Sequence, residues 1–201
     1  MKNIKAYHGT NGRFSQFEQN KARIANDYYG GGVAYFTDTI EIAKSYASSM
    51  FRKHGGERFI YEVELSFNNI FDVDKKYTGD IIKRLVGHSA EAFARGAGLM
   101  TLGNDKYAII SQLESGKIEL TGDQVFRGIS NGMQNTARAR EALRAAGFDG
   151  LRHNGGVAMG GQKHNVFLAY DSRNIKIKNR FIVTKTPIVR TATPEVYTYI
   201  N

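Results

Sequence analysis

Gly30-Gly31-Gly32 runs directly into the apolar stretch Val33-Ala34-Tyr35-Phe36, and within three residues the pattern changes period. From 39 to 50, Ile42, Ala43, Tyr46 and Ala47 recur at the 3.6-residue spacing of a helix, with Asp38 or Thr39 placed to cap it. A glycine turn, a short strand and a helix therefore follow one another with almost no chain between them. Backbone in that arrangement can close around a flat ligand, because glycine carries no Cβ to hold a second group away.

The rest of the chain supplies a mixed framework for this unit. Residues 4–7 read as a short strand carrying His8-Gly9 onto its end, and residues 59–65 alternate over Tyr61, Val63 and Leu65, the clearest strand pattern in the chain. Residues 70–73 form a shorter one. Helical segments are expected within 78–97 and over 135–146, the latter closing at Gly147. Residues 165–170 and 175–184 are strand-like, with Arg173, Lys176, Lys178 and Arg180 facing solvent. The intervals 96–105 and 121–134 are glycine-spotted and weakly periodic, and read as loops, either facing a substrate or plain surface. No repeat or linker divides the 201 residues, a length that buries one ordinary core, so the expectation is a single mixed α+β domain over 1–201.

Composition narrows the partners and removes several chemistries. With 28 Lys plus Arg against 19 Asp plus Glu, the formal charge of +9 favours nucleic acid, acidic protein surfaces or a polyanionic cofactor. Cysteine is absent, which excludes a disulfide frame, a thiolate nucleophile and a cysteine-based metal site. The five histidines, at 8, 54, 88, 153 and 164, make no His-x-x-x-His pair, so no metal is expected. Gly30-Gly31-Gly32 lacks the Gly-Lys-Ser/Thr of a phosphate loop, and neither Gly-x-Gly-x-x-Gly nor Gly-x-Ser-x-Gly occurs. The Met-Lys-Asn-Ile start has no apolar leader and no run of about 18 apolar residues follows, so a cytosolic chain without membrane contact is expected. Arg138, Arg140, Arg144 and Arg152 cluster before the last strands, and Arg140 and Arg144 share a helical face: a nucleic-acid stripe or a solvated surface.

Three side chains carry the best chemistry. A histidine beside a glycine can give one hydrogen bond to a ribose, while the glycine admits backbone close to a carboxamide, and the Thr10 hydroxyl adds a contact. Tyr35 on a strand and Tyr46 on the following helix can face each other across a ring-sized slot. The plain alternatives are a turn histidine and two core aromatics.

Tyr7-His8-Gly9-Thr10, Gly31-Gly32-Val33-Ala34-Tyr35-Phe36-Thr37-Asp38 and Ala43-Lys44-Ser45-Tyr46 together resemble the ADP-ribosyltransferase superfamily of the diphtheria-toxin and poly(ADP-ribose) polymerase type. They also resemble the small transferase domains of polyvalent phage proteins. A third match is Asp149-Gly150, a loop, then Asn165-Val166-Phe167-Leu168-Ala169-Tyr170-Asp171 and Ile175-Lys176, which looks like the family's closing strand. The resemblance spans most of 4–178. It implies a split β-sheet with helices around an NAD cleft, and NAD as co-substrate without a metal. It further implies that His8 contacts the nicotinamide ribose, that Gly9 contacts the carboxamide, with Thr10 and Phe36 beside them, and that Tyr35 and Tyr46 sandwich the nicotinamide ring. The implied activity is mono-ADP-ribosyl transfer to a bacterial protein or nucleic-acid acceptor, by a monomer in the cytoplasm of a bacterial host.

One position departs from the pattern: the family glutamate falls on Val166. A carboxylate there would bond the ribose 2′-hydroxyl and oppose the charge that develops as nicotinamide leaves, and valine does neither. Strand alternation puts Val166, Leu168 and Tyr170 on one face and Asn165 on the other. A bulge or small register shift would bring Asn165 or Gln162 to the ribose, which gives His8, Tyr35, Asn165 and Gln162 as the catalytic set and leaves Val166 lining the cofactor. His164 is a further polar neighbour. Of the other carboxylates, Glu62 and Glu64 alternate with the apolar face toward solvent, and Glu114 and Glu119 lie elsewhere. Gln162-Lys163-His164 stands where arginine-modifying members carry Gln/Glu-x-Glu, so that specificity is not supported. The alternative reading is a non-catalytic module of the same fold that binds protein or nucleic acid.

Overall fold

The computed structural model describes residues 2–18, 29, 32–87, 89–101, 103–156, 163–183 and 197–199. Strand β1 (Lys2–Thr10) pairs antiparallel along its whole length with β3 (Phe59–Phe67), from Lys2 opposite Phe67 to Thr10 opposite Phe59. Both run beyond the lengths their apolar patterns suggest, because each completes the other's ladder. Between them lie β2 (Tyr35–Thr37) and α1 (Ile40–His54), the latter ending in Arg52, Lys53 and His54, where positive charge suits the helix C-terminus.

Five more strands are β4 (Ile70–Asp72), β7 (Gly150–Gly155), β8 (His164–Ala169), β9 (Ile175–Val183) and β10 (Tyr197–Tyr199). With β1, β2 and β3 they form an eight-stranded mixed sheet in the order β10-β9-β3-β1-β2-β8-β7-β4, in which β4 and β7 run parallel. The sheet is narrow at its middle. While β1 and β3 pair over nine residues, β1 and β2 meet only at Tyr7 opposite Thr37.

Between β4 and β7 the chain makes a two-stranded antiparallel sheet, β5 (Lys76–Tyr77) with β6 (Leu120–Thr121), and five helices. These are α2 (Asp80–Val86), α3 (Ala90–Gly96), α4 (Lys106–Ser115), α5 (Gly122–Ile129) and α6 (Thr136–Ala145). Their apolar sides pack with Leu151, Val166, Leu168 and Tyr170, while Phe167 and Ala169 join Ala6, Phe36, Tyr61 and Val63 on the reverse of the sheet. The alternation expected along 165–170 is therefore present. Ala43 of α1 packs with Ile60, Tyr7 beside them, and Tyr7, Thr37 and Val166 are successive cross-strand partners whose side chains share a face. Helix α1 and the helices α2–α6 thus cover the same side of the sheet, to either side of β2. Among the described residues no helix is long and apolar enough to cross a membrane.

Three expectations are corrected. Residues 121–134 are not loop: α5 occupies most of them, opened by a capping box in which Gln124 N donates to Thr121 Oγ1 (3.2 Å) and Thr121 N to Gln124 Oε1 (2.9 Å). Its glycines mark close packing, since a Cβ on Gly122 would meet Asp72 O at 2.5 Å and one on Gly128 the Phe93 ring at 2.7 Å. The stretch after Asp149-Gly150 is the strand β7 rather than a loop. Arg180 is half-buried rather than solvated, unlike Arg173, whose side chain is 87% exposed.

Candidate functional site

Past the single pair Tyr7–Thr37, β1 and β2 diverge, and the His8 ring crosses the gap. Its Nδ1 lies 2.8 Å from Tyr35 O. A carbonyl only accepts, so Nδ1 carries the hydrogen and Nε2 keeps a lone pair. Phe17 stands edge-on to the ring at 5.3 Å, with Phe36 at 5.7 Å and Phe14 at 6.3 Å. Burial among them holds the imidazole below its ordinary pKa of 6.5, against the opposing pull of the Tyr35 carbonyl. At neutral pH His8 is thus an uncharged hydrogen-bond acceptor at the split in the sheet.

The residues around it divide between contact and support. A Cβ on Gly9 would fall 1.7 Å from Ala43 O, so this glycine is what lets the α1 backbone lie directly on β1. The Thr10 hydroxyl accepts from Gly12 N (3.1 Å) and shapes the turn that follows. Phe36 is 2% exposed on the reverse face and packs behind His8 at 5.7 Å. Phe14 and Phe17 carry no pattern that singles them out in the sequence. They are placed by Tyr61, whose ring stacks on Phe14 at 4.3 Å and whose hydroxyl accepts from Phe14 N (2.8 Å).

Tyr35 is half-buried against the helical core, and Tyr46 on α1 is 40% exposed. The two tyrosines come from elements that leave the same corner, β2 ending at Thr37 and α1 starting at Ile40.

The closing strand β8 is regular across both neighbours: Val166 lies opposite Thr37 on one side and His153 on the other. Val166 packs into the helical core, 8% exposed. Asn165 points to the other face, and no bulge turns it over. Its backbone N donates to Asp38 Oδ1 (3.0 Å), its side-chain Nδ2 donates to Asp38 Oδ2, and its Oδ1 accepts from Arg152 Nε (2.9 Å) and Nη2 (2.6 Å). Arg152 Nη1 in turn reaches both oxygens of buried Asp72 (2.9 and 2.8 Å), and Nη2 donates to Asn154 Oδ1 (3.1 Å). This chain of bonds ties β2, β8, β7 and β4 together. It also removes Arg152 from any basic stripe, leaving Arg138 and Arg144 exposed and Arg140 half-buried on α6. Gln162, Gly30 and Gly31 lie outside the described residues.

His153 lies across from Val166 with no local sequence signal, since only the strand register places it there. Its Nδ1 donates to Asn154 O (3.0 Å), and its ring lies 4.7 Å from that of Tyr29. Burial lowers its pKa, opposed by the Asn154 carbonyl and Asp74 and reinforced by His164 and Arg152. His164 itself is buried over Gly155, where a Cβ would fall 2.2 Å from its Nε2. Among the described residues no group of three or more His, Asp or Glu side chains is placed to hold a metal.

The family model described as ADP-ribosyltransferase in polyvalent proteins matches residues 2–182. No curated protein and no solved structure matches the chain.

Proposed function

Because the chain belongs to the ADP-ribosyltransferases of polyvalent proteins, we propose that it is a mono-ADP-ribosyltransferase that cleaves NAD and transfers ADP-ribose to a protein or nucleic-acid acceptor. The observation that carries this reading is the His8 ring bridging β1 and β2, pinned to Tyr35 O at 2.8 Å. In this reading the His8 Nε2, uncharged at neutral pH, accepts from a ribose hydroxyl beside the strand that bears Tyr35.

In this reading the nicotinamide ring stacks on Tyr35 and is closed over by Tyr46, and Gly9 and Thr10 flank its carboxamide. The bond from the ribose anomeric carbon to the nicotinamide nitrogen breaks, and the electron pair leaves with neutral nicotinamide. An acceptor nucleophile then bonds that carbon and loses its proton. Asn165 acts through position: by holding Asp38 it fixes the corner between β2 and α1 on which both tyrosines depend. The protein acts as one domain over 1–201, as a monomer, in the cytoplasm of a bacterial host, and its charge of +9 suits a polyanionic co-substrate and an acidic or nucleic-acid acceptor. Burial of Val166 where a carboxylate would stabilise the departing cation favours a second reading, a non-catalytic binding module of the same fold.

Incubating the protein with labelled NAD and separate bacterial protein, RNA and DNA fractions, read by mass spectrometry, decides between them. The transferase reading expects nicotinamide release and single ADP-ribose units on one fraction, both lost in His8→Ala. Measurable NAD binding with no released nicotinamide and no labelled acceptor in any fraction selects the module.

A further inference from the structure

We propose that the end of α6 and the start of β9 form a docking surface for single-stranded nucleic acid, with one nucleotide seated in a cleft beside Phe17. The surface stands on its own geometry; that it presents the acceptor, making the acceptor a nucleic acid, rests on the transferase reading above. After β8 the chain makes one 3-10 turn, Ser172–Asn174, before β9 begins at Ile175. This turn is tied to the chain leaving α6, because Asp149 O accepts from Tyr170 N (3.1 Å) and from Asn174 Nδ2 (3.4 Å). Arginines from two elements therefore meet. Helix α6 carries Arg138, Arg140 and Arg144 against one acid, Glu141, and none of these arginine side chains has a hydrogen bond or ion pair among the described residues. The turn adds Arg173, 87% exposed, which grips Asp171 through Nε (3.0 Å) and Nη2 (2.6 Å). That grip fixes the guanidinium and leaves one hydrogen on each of Nη1 and Nη2 along its outer edge, the fork that fits two phosphate oxygens. Arg173, with Arg144 adding to it, holds the Asp171 carboxyl down to about 2, so the acid stays ionised and the arginine stays fixed.

Next to the turn lies an open cleft of about 520 Å³, within the range of about 300–1,000 Å³ of small-ligand sites. Phe17, Ile175 and Ile177, which pack into the core on the reverse of the sheet, give it an apolar floor. Ser15, Gln16 and Ser172 supply hydroxyl and amide groups, and Arg173 and the exposed Lys176 supply charge. Glu18 also lines it and has a partner of its own. The Phe17 ring meets His8 edge-on at 5.3 Å, so cleft and histidine share one face of the sheet with a single aromatic ring between them. A nucleotide answers each part of this surface: its base lies flat on the apolar floor, its polar edge meets the amide and hydroxyls, and the phosphates on either side reach Lys176 and Arg173, with Arg144 next along. A duplex keeps its bases stacked on one another, so the strand is single. An acidic peptide would meet the same cations and leave the floor uncovered.

The test uses the full chain without NAD and labelled oligothymidylate and oligouridylate of about 12 nucleotides, read by fluorescence anisotropy across a salt series. Arg144→Gln, Arg173→Gln and Lys176→Gln change exposed side chains, and each should lower the slope of log K against log salt by about 0.7, the value for one phosphate on a single strand. An abasic strand of the same length should bind about tenfold more weakly, toward the lower end of what one stacked base contributes. Polyglutamate, the probe for an acidic protein partner, should bind more weakly than either oligonucleotide. No oligonucleotide binding, a slope that survives all three substitutions, an abasic strand bound as tightly as the intact one, or a preference for polyglutamate overturns the proposal. Nicotinamide release from NAD without acceptor, measured separately, should be the same in wild type and the three variants. A wild type that releases nicotinamide and binds no strand overturns the docking surface alone, and one that binds the strand and releases no nicotinamide overturns the transferase reading while the surface stands.

Discussion

On one face of the β7–β8 hairpin, Arg152 joins Asp72, Asn154 and Asn165 in a run of hydrogen bonds that continues through Asn165 to Asp38. On the other face, one residue along, His153 commits one ring nitrogen to its neighbour's carbonyl and keeps the second. The denser polar face is the one with less left to offer a ligand. A network whose donors and acceptors already answer one another fixes geometry. The sparser face carries His153 and His164 beside the apolar Val166, Leu168 and Leu151.

The sharpest way to break this contrast is Arg152→Met. Asp72 is 6% exposed, so removing its cation leaves a buried carboxylate unpaired, a loss expected at about 3–5 kcal/mol in urea denaturation. Nicotinamide release per folded molecule should persist. A destabilisation under about 1 kcal/mol would mean the network behaves as a surface pair and fixes little.

Asn165→Ala probes the same network more gently. It removes the donor to Asp38 and the acceptor for Arg152, and should cost about 1–3 kcal/mol of stability. The KM for NAD should rise more than kcat falls, as expected of a positioning residue. A folded Asn165→Ala protein with normal NAD affinity and collapsed kcat would return Asn165 to the reacting centre and invert the comparison.

Val166→Glu works on the other face. If the ribose lies over Val166, the new carboxylate opposes the developing cation and should raise NAD hydrolysis on the order of tenfold, below the 10²–10³ of a site adapted to its charge. Stability should fall at the same time, because the side chain enters a place where the valine is only 8% exposed. Unchanged turnover in a folded variant would move the ribose off this face.

How much of this was legible in the sequence depends on how local the cause is. The strand at 59–65 and the helix after Asp38 declare themselves because their periods come from one buried face each, and His8, Tyr35 and Tyr46 stand out through short spacings. Helix α5 hides because Gly122 and Gly128, which read as loop residues, are there to admit Asp72 and Phe93. Strand β7 hides because Arg152-His153-Asn154 shows no apolar alternation, its polar side chains answering partners 80 and 13 residues away. The wall of Phe14 and Phe17 behind His8 depends on the Tyr61 hydroxyl, a contact across 47 residues that no window of sequence contains. His153 needed the register itself.

A sheet fastened at its middle by one pair, Tyr7 and Thr37, behaves as two plates on a torsion joint. The His8 ring adds a second fastening to Tyr35, so these two hydrogen-bonded ties lie over residues 7 and 8 on one plate and 35 to 37 on the other. Any molecule that grips both strands there works as a brace, and its attachment is felt as stiffness across both plates. Amide hydrogen exchange at the joint then reports occupancy directly, slowing around Tyr7 and Thr37 when the brace is in place and leaving the long β1–β3 ladder as it was.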